Sequence, residues 1–336
     1  MINQKIATRT ISSIDIGKFV ACFLIVMLHC HVFDVNNGWT EFAITNLLLR
    51  ISVPFFFVTS GYFLGKKIQS GADPKTTVFN YCKRLVFPLI VFSVINIAQH
   101  IYKFYCIDGD TLLVTLLKIG RSIIFYPLGA LWFVQACIVG SLLLIPFFRR
   151  GNLKCAICIG LILFLIALPF NSYYFLVDGT VFQVFVDKTL KIISSIRNGV
   201  FVGFVYLAIG SYIGYNSISL SKLKCCFLMF LSIIALFGEI LLVWNYWIPK
   251  DDTSLFLSHL IIAPAILLLL FRSELHIPVS LSIALRNLSV GVYYLHKPIL
   301  FFVTLFSFGN ILSWGITFSL AVGICILFYS LNFETT

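Results

Sequence analysis

Apolar residues in this chain come in blocks of about 20, and that pattern limits the fold more than any motif does. Taken in order, the blocks fall near 14–35, 44–64, 85–102, 128–148, 155–170, 196–216, 225–247, 254–272, 288–307 and 311–331. An amphipathic stripe buries one face of a helix against a core, whereas a block that is apolar all round needs lipid or protein on every side. Only 11% of the 336 residues are charged, where a soluble domain carries roughly a quarter, and the mean hydropathy is +1.01. No water reaches the backbone N–H and C=O groups in hydrocarbon, so each block must satisfy them internally, as a helix does. The expected fold is all-α: a polytopic integral membrane protein of about ten transmembrane helices. It forms a single membrane-embedded domain over 1–336, with a tail at 1–13 and spans from 14 to 331. A signal peptide is the competing reading of the first block, but no small-x-small cleavage site follows it, so it is kept as a span.

The net charge of +11 raises the question of a nucleic-acid partner, and its distribution argues against one. Of 24 Lys and Arg residues, 14 fall in segments on one side of the alternating blocks, Lys5, Arg9, Lys66, Lys67, Lys83, Arg84, Arg149 and Arg150 among them. Seven fall on the other side (Lys103, Lys118, Arg121, Lys188, Lys191, Arg197 and Lys250), and Lys18, Arg50 and Lys297 lie within blocks. Cytoplasmic loops carry the basic excess, so both termini are expected in the cytoplasm. Two linkers stand out. Residues 103–127 hold an amphipathic piece (Leu112, Leu113, Leu116 and Leu117 with Lys118 and Arg121) of the kind that lies in a membrane interface. Residues 171–195 are long and rich in aromatics. The ten cysteines are scattered, and the Cys155/Cys158 pair has no second pair at zinc-site spacing, so neither a metal nor a disulfide is expected.

A charge at mid-bilayer costs on the order of 2.5–3.5 kcal/mol, so those inside the blocks ask for a reason. At ~1.5 Å per residue, His29, Arg50, Glu239 and His259 all fall in the outer-middle third of a ~30 Å hydrocarbon layer. Separate structural roles would account for each one singly; four at one depth point to a shared polar cavity. His31 lies two residues from His29, about 200° away on a helix, so the two cannot face one cavity or hold one metal. Lys18, ~6 Å inside the cytoplasmic end, either snorkels to the headgroups or holds a phosphate-bearing donor.

Ile14-Asp15-Ile16-Gly17-Lys18, with ten residues between Lys18 and His29, resembles the opening of the acyltransferase-3 family of bacterial membrane acyltransferases. The family's first span carries a basic residue, ten positions and a histidine. Arginine is usual there, and lysine keeps the charge without the bidentate fork. Val53 to Phe63 (VPFFFVTSGYF) is similar to the family's second span. Tyr81-Cys82-Lys83-Arg84 with Pro88 is similar to the entry to its third. Leu131-Trp132-Phe133 resembles its LWF segment, and Ser289 to His296 with Pro298 its late S-x-x-Y-x-x-H-x-P. The matches run in order from about residue 13 to residue 298. The resemblance implies transfer of an acyl group, usually acetyl from cytoplasmic acyl-CoA, to a hydroxyl of a cell-envelope glycan or its lipid-linked precursor. It also implies a multi-pass protein of the bacterial inner membrane.

Acyl transfer to a hydroxyl needs a base, a stabiliser for the oxyanion and a path for two substrates. His29 is the expected base, since an imidazole is largely neutral at pH 7; a transient acyl-imidazole is the other route. Arg50 would stabilise negative charge or position the acceptor, and Glu239 would orient an imidazole or neutralise Arg50. Tyr293 and His296 are read as facing the acceptor or as supporting the residues that do, and Ser60 as a donor contact or a site of close helix packing. Trp132 joins the donor-binding set through the resemblance, and Lys18 and Arg84 would meet the donor's phosphates, with Lys66, Lys67 and Lys83 as diffuse attraction. No bound cofactor is expected beyond acyl-CoA as donor substrate. Two rivals remain: a secondary transporter or flippase for an envelope precursor, which intramembrane charges suit equally well, and a catalytically silent sensor or anchor.

Overall fold

The structure is a computed structural model that describes residues 12–33, 38–246 and 253–333. Among the described residues it is helical with no strands. The helices are α1 (Ser12–His29), α2 (Gly38–Ile44), α3 (Ser52–Gln69), α4 (Pro74–Ile101), α5 (Leu112–Ile124), α6 (Trp132–Arg149), α7 (Leu153–Ala167), α8 (Val181–Ile193), α9 (Phe204–Tyr215), α10 (Lys222–Asn245), α11 (His259–Leu270), α12 (Val279–Thr304) and α13 (Asn310–Phe333). Every apolar block read from the sequence lies on one of them. Among the described residues, seven stretches are long and apolar enough to cross a membrane: 12–29, 38–69, 74–107, 132–149, 153–170, 222–245 and 310–329. The other three blocks coincide with shorter apolar helices at 199–215 and 259–270 and with α12, which is long but carries more polar residues. The tail up to residue 11 and Lys250 lie outside the described residues.

Block ends and helix ends differ where the chain turns without losing hydrophobicity. α1 stops at His29, and His31 takes a left-handed conformation (φ 51°), although the apolar run continues. α4 starts sharply because Asp73 caps it: its carboxylate accepts from Thr76 N at 2.7 Å and Pro74 takes the first turn. That bond, first among several influences, holds the exposed Asp73 carboxyl below its ordinary range.

The chain divides into two compact units, one from residues up to 56 with 219–234 and 261 onward, the other from 57–218 with 235–260. The boundaries fall inside α3, α10 and α11.

In the first unit α1 and α12 run parallel in a fixed register. Asp15 meets Ser282, Cys22 meets Ser289 and His29 meets His296, each pair 267 residues apart. The contacts recur every seven residues, which returns to nearly the same helix face. α13 runs antiparallel to α12: Asn287 reaches Tyr329, and Gly291 faces Cys325. Parallel packing is what the ten-block order requires of blocks one and nine.

In the second unit α3 and α9 touch backbone to backbone. A Cβ on Gly61 would sit 2.3 Å from the Leu207 carbonyl oxygen, one on Gly65 2.2 Å from that of Ser211, and one on Gly210 2.0 Å from that of Val58. Only glycine fits, in the small-xxx-small pattern of membrane helix pairs. Packing thus explains Gly61, while Ser60 is half-buried and hydrogen-bonds Tyr81. These helices are also parallel, as blocks two and six must be. α4 and α5 are inverted relative to a soluble protein: Phe87 is 73% exposed while Asn96 and Gln99 are buried, and on α5 Leu113 and Leu117 face outward while Thr115 and Ser122 are buried. The amphipathic period expected at 103–127 is present, with its leucines outward because lipid is the solvent.

Candidate functional site

Several polar groups of the first unit line the α1–α12 seam. At its start Asp15, buried, accepts from Ser282 Oγ at 2.7 Å and from Arg286 Nε and NH2 at 3.0 and 2.7 Å. The fork-to-carboxylate geometry ties the two helices in register. Lys18 lies one turn further on, half-buried, with Asp15 and Arg286 as the charges about it. Two turns beyond Asp15, Cys22 Sγ donates to Ser289 O at 3.3 Å.

The seam ends in two imidazoles. His29, half-buried at the last residue of α1, stacks on His296 with ring centroids 5.2 Å apart and planes at 25°. His296 is completely buried; its Nδ1 is 2.6 Å from Tyr293 O, while Nε2 is buried with no hydrogen-bond partner among the described residues. Tyr293, half-buried, turns its ring to 5.8 Å from that of His296.

Arg50 follows a π turn at 45–49, where its N–H bonds to Thr45 O at 3.0 Å. Such a widened turn re-aims the residue after it. The side chain lines a cavity of about 100 Å³ together with Met27 and Leu28 of α1, His31 and Glu41. His31 thus lies with Arg50 and His29 with His296, consistent with their opposite directions on the chain.

In the second unit Glu239 takes four hydrogen bonds: from Tyr173 Oη, Leu257 N (2.6 Å), Ser258 N (2.8 Å) and Ser258 Oγ (2.6 Å). Burial first, and the carboxylate second, push the Tyr173 phenol well above its ordinary range, so it stays a donor. Asn171 Oδ1 adds bonds from Ser254 N and Leu255 N, both at 2.8 Å. Together they strap segment 253–258 to segment 171–174, and His259 begins α11 immediately after, buried, its ring 5.3 Å from Phe256. Trp132, at the start of α6, is nearly buried under Arg197, whose guanidinium lies 4.9 Å from its ring and 5.3 Å from that of Tyr126. Arg84 and Lys83 are exposed on α4.

The sequence had therefore marked His29, His296, Tyr293 and Lys18, which the structure brings to one seam, and Arg50, which sits in the cavity beside the end of α1. It missed Asp15, Ser282 and Arg286; the seven-residue spacing of Asp15, Cys22 and His29 was the available signal. It also missed Tyr173 and Asn171, which only their partners identify, and Arg197, which reads as an ordinary loop charge.

A family model described as an acyltransferase domain matches residues 11–330, nearly the whole chain. Among curated proteins the chain is similar to a serine/alanine racemase of Enterococcus gallinarum, 26% identical over 264 residues, which is 77% of this chain and 36% of that protein. It is likewise similar to an amino-acid racemase of Enterococcus faecalis, 26% identical over 287 residues, covering 84% of this chain and 38% of that one. The chain spans well under half the length of these relatives. No solved structure matches it.

Proposed function

The chain belongs to the acyltransferase-3 family, and from that premise we propose that it moves a short acyl group, acetyl from cytoplasmic acetyl-CoA, to a hydroxyl of a cell-envelope glycan or its lipid-linked precursor. The observation that carries this reading is the His29–His296 pair at the end of a polar seam whose other end holds Lys18. In it, His29 takes the proton of the acceptor hydroxyl as the thioester carbonyl is attacked. Lys18 attracts the donor's phosphates. Arg50 supplies positive charge for the oxyanion or for holding the acceptor. Tyr293 faces substrate beside His296. Glu239 acts through the strap it closes ahead of His259, and Ser60 and Trp132 are assigned to the donor-binding set. The protein works as a multi-pass protein of the bacterial inner membrane with both termini cytoplasmic.

The names of the relatives favour one second reading, in which an amino acid is the molecule handled. The cavity at Arg50 supports it, since Glu41 in the same lining gives charges of both signs. That molecule would be an acceptor, or the cargo of a carrier. Purified protein with labelled acetyl-CoA tests the first reading, because it predicts release of coenzyme A and transfer or hydrolysis of the label. Vesicles that accumulate labelled serine down a gradient, with acetyl-CoA untouched, would replace it with the second. If the enzyme reading holds, envelope glycans of a deletion strain lose an acyl increment in mass against the parent.

A further inference from the structure

Direct transfer with His29 as base leaves one nitrogen idle. His296 has no exposed surface, and its Nδ1 lies 2.6 Å from the carbonyl oxygen of Tyr293. A carbonyl only accepts, so Nδ1 carries the proton, and Nε2 of the neutral ring keeps its lone pair. That lone pair is buried, and among the described residues no group donates to it. Buried acceptors are nearly always satisfied, so one kept bare beside a candidate base points to chemistry that arrives from outside. The stacking adds a constraint. Two imidazoles lying face to face, 5.2 Å and 25° apart, hold their nitrogen lone pairs in the ring planes and cannot pass a proton directly between the rings. They are therefore suited to two different steps on one substrate.

We infer that His296 is the acyl-carrying nucleophile and His29 the base that serves it, an assignment that rests on the acyl-transfer reading above. Nε2 of His296 attacks the thioester carbonyl carbon; the C–N bond forms, the C–S bond breaks and coenzyme A leaves as thiolate. The acyl-imidazolium so formed keeps its Nδ1–H on the Tyr293 carbonyl. His29 then removes the proton of the acceptor hydroxyl, the oxygen bonds to the acyl carbon, and the C–N electrons return to Nε2. The proton on His29 passes to the thiolate. A thioester and an alcohol become an ester and a thiol, with no other reactant.

The test needs no knowledge of the acceptor. Full-length protein in detergent is mixed with [14C]acetyl-CoA alone, quenched, and the label mapped by mass spectrometry. The expected result is up to one acetyl per chain, released by hydroxylamine, on the peptide holding His296. His296→Asn, whose amide retains a donor for the Tyr293 carbonyl but has no Nε2, is expected to lower labelling by about 100-fold or more. His29→Asn is expected to keep the label on His296 and to lengthen its lifetime by at least about 10-fold. If His296→Asn does not fold, the label map of the wild type and of His29→Asn decides alone. Label on His29, full labelling of His296→Asn, or breakdown of acetyl-CoA by the wild type without any labelled histidine overturns the assignment and leaves acyl transfer standing. Failure of the wild type to break down acetyl-CoA at all removes the acyl-transfer reading and this assignment with it.

Discussion

Two polar assemblies sit among apolar helices in this protein, and they are finished to different degrees. In the second unit every oxygen of Glu239 is used, by Tyr173, by two backbone amides and by the Ser258 hydroxyl. In the first unit the α1–α12 seam starts equally complete at Asp15, yet it ends on His296 with a bare, buried Nε2. A saturated carboxylate is an architectural device, because nothing remains on it for a ligand to bind. An unsatisfied acceptor costs stability and is retained where the reaction uses it. On the proposed reading, the comparison separates a latch from a working site.

Substitutions at the latch give the largest expected effect on stability. Glu239→Ala strips four donors of their acceptor, and a loss of about 3 kcal/mol or more is expected, seen as early thermal unfolding in detergent. Glu239→Gln keeps one carbonyl acceptor and is expected to lose less. If both variants unfold like the wild type while acyl transfer disappears, Glu239 belongs with the working site instead. Next in size is the α3–α9 contact. Gly210→Leu puts a side chain where a Cβ alone already meets the Val58 carbonyl oxygen at 2.0 Å, so about 1–3 kcal/mol should be lost by the same assay. An unchanged melting curve would show that these helices do not touch.

Arg50→Ala sharpens the other side of the comparison. It should lower acyl transfer by at least about tenfold at nearly wild-type stability, whereas Lys67→Ala, at an exposed site, should do little. Equal mild effects would take Arg50 out of the site. The smallest effect belongs to Asp73. Its carboxyl titrates below the ordinary range in the folded chain, so its contribution is present at neutral pH and fades as pH falls through that lowered value. Asp73→Ala is expected to lower Tm by less than about 3 °C at pH 7, and the difference should vanish in acid. A difference that does not shrink at all as pH falls would contradict the capping account.

How much of this was legible in the sequence follows from which interactions are local. Hydropathy blocks located the helices because each is solvated by lipid or packed side chains along its own length. Their ends were less legible. α11 begins at His259, five residues after its block, since residues 253–258 are apolar enough to extend the block but are held out of the helix by Asn171 and Glu239. The amphipathic period of α5 was readable, while the side that faces inward was not, because the solvent changes the sign of the rule. His29 stood out as an ionisable group within a span, and the spacing to Lys18 matched the family. Its partner on α12 depended on a register 267 residues away, which no local pattern carries.

The account depends most on the imidazole at the end of α1. Coenzyme A release from acetyl-CoA should be followed for purified wild type and His29→Ala at equal amounts of monodisperse protein. The expected result is a fall of about 10²–10⁴-fold in the variant with unchanged thermal unfolding. Wild-type turnover by His29→Ala would contradict it.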